Sequence, residues 1–297
     1  MAASGAARQL PEPTAPDAVV PERSGTAARL PDIARDTLTP FALAAAGANV
    51  IMQLSRLPVG HGVIKSPVES GRIDRHPIKR LRTTLSYIVV AMHGTPGERD
   101  HMRAEVNRSH RAVRSAPGDP VKYNAFDREL QLWVAACLYW GTEDLYIRLH
   151  GEPTPEQRDD FYRYAARFGT TLQVTEDMWP ADREAFEKYW ADGIEKIVVD
   201  DLTRRYLRAF AGLSFLPGPV RRVLGPTNRF LCVGFLPEPF REALGFRWSA
   251  ADQRRFDRFC RAAAAVNRTL PGPVRGFPWN LYLWDVRRRI RDGRPIV

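Results

Sequence analysis

Apolar residues recur along this chain at steps of three and four, the period of a helix that buries one face. Behind Pro77, which suits a first helical position, Ile78, Leu81, Leu85, Ile88 and Met92 form one such stripe. Met102, Val106, His110 and Val113 make another within a helix predicted from Gly97 to about Ser115, which puts an imidazole on a buried face. Asp127 is placed to cap a helix through Leu130, Trp133, Val134, Cys137 and Leu138 that is apolar almost all round and therefore central. Thr154-Pro155-Glu156-Gln157 is a capping box; its helix buries Phe161, Tyr164, Ala165 and Phe168 and stops at Gly169. Further helices are predicted around Phe186, Tyr189 and Trp190, from Ile194 to about Phe210, and from Ser249 through Phe256, Phe259, Cys260 and Ala263. Strand signals are few. Val198-Val199 is β-branched, but its flanking spacing fits a helix better. The fold class is all-α, with Pro/Gly-rich connections such as Leu216-Pro-Gly-Pro219 and Leu270-Pro-Gly-Pro273.

Residues 1–36 lack this periodicity and are rich in Ala, Pro and Arg, the composition of a mobile arm. Residues 37–297 are expected to form one all-α domain, and 44% apolar residues suffice for a substantial core. A net charge of +10 invites an anionic partner, nucleic acid or membrane surface. The arginines are scattered in pairs such as Arg204-Arg205, Arg221-Arg222 and Arg254-Arg255, which is the pattern of a solvated surface, so nucleic acid is not the expected partner. Cys137, Cys232 and Cys260 are odd in number and hold no CxxC pair, so neither a disulfide framework nor a zinc knuckle is indicated. The N-terminus carries no apolar leader. The longest apolar segment, Phe41 to Leu54, is too short for the roughly 20 residues of a transmembrane helix. The expectation is a soluble, cytoplasmic protein.

No nucleophile elbow, metalloprotease motif, phosphate loop or calcium loop is present. Gly60-His61-Gly62 lacks the third glycine and the preceding strand of a dinucleotide site, and His61 reads as an exposed loop residue, a reserve ligand only. His93, His101 and His110 are eight and nine residues apart, which does not put them on one helical face. His110 is the informative one, because an imidazole on a core-facing stripe either finds a hydrogen-bond partner or binds something.

An ordered series of landmarks resembles the mpaB/rubber oxygenase family, which includes the latex-clearing proteins. It runs from the apolar helix Gly47–Leu54 through Pro58-Val59-Gly60-His61-Gly62-Val63 to Arg80 and Thr84 in an R-x-x-x-T pattern. Then come His110-Arg-Ala-Val113, Gly118, Tyr123-Asn-Ala125-Phe-Asp127, Leu132-Trp133-Val134, and the late segments Leu216-Pro217 and Leu244–Trp248. The resemblance implies a globin-like, all-α protein holding haem b and activating dioxygen. It makes His110 the proximal iron ligand and sets Arg80 and Thr84 in the oxygen-side pocket, with Arg80 alternatively on a haem propionate. Thr83 stands where latex-clearing proteins carry a lysine able to cap the iron, and Ser115 where the family often has glycine.

Arg80 and Thr84 are one turn apart and share a helix face, so a guanidinium and a hydroxyl can act together on developing negative charge. The expected activity is oxidation or cleavage of an apolar, isoprenoid or lipid-like substrate. Two other classes fit the residues: a non-catalytic haem- or lipid-binding helical protein, and a basic helical binder of nucleic acid or an anionic surface. For Thr84 the plain alternative is a hydroxyl bonded back to its own helix.

Overall fold

The computed structural model describes residues 30–297 apart from 70, 71 and 74. Among these residues the regular structure is helical, with one isolated antiparallel bridge between Arg114 and Asn124. In order the helices are α1 (Asp32–Thr37), α2 (Ala42–Leu54), α3 (Leu57–Ile64), α4 (Pro77–His93), α5 (Pro96–His110), α6 (Arg128–His150), α7 (Pro155–Ala165) and α8 (Arg167–Thr170). They continue with α9 (Arg183–Glu195), α10 (Asp201–Ala211), α11 (Gly218–Phe235), α12 (Glu238–Ala243), α13 (Ala250–Thr269), α14 (Gly272–Arg275) and α15 (Trp279–Arg291).

The central helix is α6, as its all-round apolar sequence implies: Trp133, Ala135, Ala136 and Cys137 are completely buried. Trp133 stacks on Trp190 of α9 at 5.2 Å and on Phe240 of α12 at 6.4 Å. Its ring nitrogen donates to the Gln53 carbonyl at 3.3 Å, and the Arg56 guanidinium lies 4.5 Å from its ring centre. α9 comes this close because it carries Gly193, where a Cβ would stand 2.5 Å from the Trp133 ring. Nearly two turns further on, Tyr139 meets Phe186 edge-on at 4.7 Å and also packs on Phe161 and Trp179. Such aromatic pairs contribute about 0.5–1.5 kcal/mol each beyond simple burial.

Helix starts follow local chemistry. Asp127 accepts from the N–H groups of Glu129 at 2.9 Å and Leu130 at 3.1 Å. Thr154 with Gln157, and Ser249 with Asp252, close reciprocal capping boxes. Each such cap contributes roughly 0.5–2 kcal/mol.

Four expectations change. Asp32–Thr37 of the supposed arm is helical and packs on α6 and α7 with Ile33 buried, while residues 1–29 lie outside the described set. The helix expected from Ile194 to Phe210 is two: Ile197 to Val199 run between α9 and α10, where the Val198 N–H donates to the Ser55 carbonyl at 3.2 Å. Asp200 then restarts the chain as an N-cap, accepting from the Thr203 N–H at 2.8 Å. Gly169 does not stop the chain but sits buried inside α8, with Val174 packed against it. The α4 stripe is buried only from Leu85 onward; Ile78 is 82% and Leu81 46% exposed.

α11 is tied to the end of α10 where Asn228 donates to the Ala211 carbonyl at 2.9 Å. α2 runs antiparallel to α10, with Ser55 against Val198 at one end and Gly47 against Phe210 and Cys232 further along.

Trp133→Ala is expected to cost about 3–5 kcal/mol, read from chemical denaturation midpoints. Gly193→Ala should cost about 1–3 kcal/mol by crowding the same ring.

Candidate functional site

α5 opens with a capping box that the chain's Thr95-Pro96-Gly97-Glu98 pattern already encodes. Thr95 accepts from the Glu98 N–H at 3.2 Å while Glu98 accepts from the Thr95 N–H at 2.9 Å. The helix ends at His110, five residues before the expected end at Ser115. Beyond it the chain turns into a small ladder in which Ser115 N–H donates to Tyr123 O at 2.8 Å and Ala125 N–H to Val113 O at 2.9 Å. This ladder outcompetes the last helical turn and carries Phe126, whose ring stands edge-on to the His110 imidazole at 6.2 Å.

His110 is half-buried, yet its Nδ1 is shut away from solvent with no hydrogen-bond partner. Burial, and then the positive charge of Arg80, push its pKa down to about 4. The ring is therefore neutral near pH 7 and offers a nitrogen lone pair, the form a metal requires. Arg80 projects from the first turn of α4 and interacts with Tyr206 of α10; burial lowers its own pKa. Among the described residues no carboxylate pairs with it. A half-buried cation without a counter-ion is costly to keep and suited to receiving an anion.

Thr84 follows one turn later on α4, and its hydroxyl donates to the Arg80 carbonyl at 3.0 Å. In this rotamer it offers lone pairs but no proton. Thr83 makes the same backward bond to Lys79, also at 3.0 Å. Tyr206 belongs as well to an apolar cleft of about 210 Å³ lined by Ile73, Ala209, Phe210, Ser214 and Phe215. A larger hollow of about 460 Å³ lies by α1 and α7 among Asp32, Asp160 and Arg163, and holds none of the candidate residues.

The structure also corrects His61. It lies within α3 and is buried rather than exposed in a loop. Its Nε2 is 2.7 Å from Asp200 Oδ2, and its buried Nδ1 has no partner. With the carboxylate accepting, the proton sits on Nε2 and the lone pair on Nδ1, the same second-sphere arrangement that orients metal-bound imidazoles. Partial burial raises the Asp200 pKa, but the Thr203 backbone bond and His61 outweigh it and hold the carboxyl at about 2. Gly62 brings α3 against Tyr123, where a Cβ would stand 3.4 Å from the ring and 3.9 Å from Val113. α3 thus touches the loop that follows His110. Nothing local in the sequence announces this pair, whose members lie 139 residues apart.

Among the described residues no three His, Cys, Asp or Glu side chains cluster as a self-contained metal cage. What they offer is single imidazole ligands. His93 is hydrogen-bonded to the Ala34 carbonyl at 3.2 Å, and the three cysteines are free and buried.

Residues 35–265 match the family model described as ER-bound oxygenase mpaB/B'/rubber oxygenase, catalytic domain. Two uncharacterized proteins, one of Mycobacterium bovis and one of Mycobacterium tuberculosis, are each 47% identical to the chain over 250 residues. Each alignment covers 84% of this chain and 98% of the relative. No solved structure matches significantly.

The His110 ring binds its proton less readily in the folded than in the unfolded chain, so the unfolded state takes up the extra proton first. Its contribution to stability is intact above about pH 6.5 and is lost as pH falls toward about 4. His110→Gln should show a smaller drop in thermal midpoint across that window than the unaltered apoprotein. Identical acid losses in both would contradict the assignment.

Proposed function

Because the chain belongs to the mpaB/rubber oxygenase family, we propose that it is a haem b-dependent oxygenase acting on an apolar, isoprenoid or lipid-like substrate. The observation that carries this reading is a neutral imidazole, its Nδ1 buried and unpartnered, near a half-buried guanidinium that no carboxylate among the described residues neutralises. These side chains fit the group: one nitrogen ligand for iron, and one cation for the negative charge of a haem propionate or of reduced oxygen. Haem, when bound, supplies the redox chemistry.

The chain's own residues would do the rest. His110 would hold the iron, its ring kept unprotonated by burial and by Arg80. Arg80 would bring positive charge to the site, where no carboxylate among the described residues pairs with it. Thr84 supports Arg80 by closing the turn between them and can accept, not donate, a hydrogen bond while so engaged. Thr83 cannot cap an iron as a lysine would. Ile73, Phe210 and Phe215 give the neighbouring cleft the apolar lining that a hydrocarbon substrate needs. At about 210 Å³ the cleft is smaller than the roughly 300–1,000 Å³ typical of ligand pockets.

The test is an absorption spectrum of protein expressed with a haem supply, alongside His110→Ala, His61→Ala and Arg80→Gln. The expected result is a Soret band with about one haem per chain, lost or shifted in His110→Ala, weakened in Arg80→Gln and kept in His61→Ala. A colourless unaltered protein would overturn the oxygenase reading. Loss in His61→Ala with retention in His110→Ala would move the iron to the other imidazole.

A further inference from the structure

Ten of the twelve large apolar side chains left exposed among the described residues fall in three stretches: Arg75–Gly97, Leu213–Pro237 and Arg258–Trp284. None of the three contains an Asp or Glu, and they carry four, three and four Lys or Arg respectively. In a chain with 34 acidic residues, exposed hydrophobes and missing carboxylates therefore coincide. We propose that these stretches form one surface that docks on an anionic lipid bilayer.

The geometry joins them. α15 packs along α4, and Arg82 of α4 pairs with Asp285 of α15 at 3.5 Å, so the exposed Ile78 and Leu81 and the exposed Leu281 and Trp284 belong to two helices packed on each other. Trp279, at the start of α15, donates to the Thr39 carbonyl at 2.9 Å, just before α2 begins. The start of α11 lies near the start of α4, because Ile73, shortly ahead of α4, and Phe215, shortly ahead of α11, line one cleft. There every residue from Pro217 to Leu224 is exposed, Val223 at 73%. The apolar cleft lies in the same region, since it is lined by Ile73 ahead of α4 and by Phe210 and Phe215 ahead of α11.

The segment Leu-Pro-Gly-Pro-Val-Arg occurs twice, at Leu216–Arg221 and Leu270–Arg275. Both copies adopt one conformation, with Pro217 and Pro271 in extended backbone opening a helix and Val220 and Val274 exposed. From the second copy, Val274, Phe277, Leu281 and Trp284 continue at steps of three, four and three, and Arg288 sets its guanidinium 5.4 Å from the Trp284 ring. An aromatic and aliphatic edge bordered by arginines suits the headgroup layer, where apolar tips insert and guanidinium groups remain with phosphate. Nucleic acid would use the arginines but leave Val220, Val223 and Leu224 in water. No helix among the described residues is long and apolar enough to cross a membrane, so the contact would be peripheral.

The experiment is cosedimentation of the full chain with vesicles of phosphatidylcholine alone, or of equal parts phosphatidylcholine and phosphatidylglycerol. The unaltered protein should bind the mixed vesicles, and binding should weaken with added salt. Phe277→Glu with Trp284→Glu should weaken it by at least about tenfold, as should Arg221→Glu with Arg222→Glu. Val198→Glu, at an exposed apolar position outside the three stretches, should not. Circular dichroism of each variant checks that it folds, and binding is independent of haem loading. Absence of binding to mixed vesicles, or equal binding by all folded variants, would overturn the proposal. So would a concentration-dependent dimer that the same substitutions dissolve in a protein that ignores vesicles.

Discussion

A helix buried on nearly every side has no face to give to water, so the other elements must be arranged around it. α6, with 23 residues, is that helix. Trp133 fixes α9 and α12 through stacked rings and α2 through its ring N–H, while Tyr139 gathers α7 and α9. The approach of α9 depends on the missing side chain at Gly193. Because α2 is held against α6, it in turn sets α10 and α11, which share contacts with Gly47. The position of Tyr206 beside Arg80, and of Asp200 beside His61, follows from that framework.

The site then rests on a balance of charge and burial. A histidine near an arginine is held neutral twice over, by loss of water and by like charge. Among the described residues the arginine has no carboxylate partner, a state that folding alone does not favour. Two imidazoles, the buried His61 and the half-buried His110, each keep a buried nitrogen without a partner, though most buried polar groups are satisfied. Only His61 has a carboxylate to orient it. Such unsatisfied groups are the places where a protein's stability has yielded to binding.

What was legible in the sequence was local. The caps at Asp127, Thr154 and Ser249 use partners two or three residues away, so the pattern alone specifies them. The core face of α6 and the placing of Arg80 and Thr84 one turn apart were legible for the same reason. What escaped depends on distant partners. His61 looked exposed because nothing near it announced Asp200, and the break before α10 depends on Val198 bonding to Ser55. The end of α5 at His110 is set by pairing with the segment around Tyr123. The α4 stripe kept its helical period, but periodicity does not say where the packed body ends, and Ile78 lies beyond it.

The central claim is that His110 and Arg80 together hold a haem. A crystal structure of the haem-loaded protein tests it most directly. The account predicts iron bonded to a His110 nitrogen, with the Arg80 guanidinium facing the haem or its propionate. Iron held by His61, or haem bound away from both residues, would contradict it.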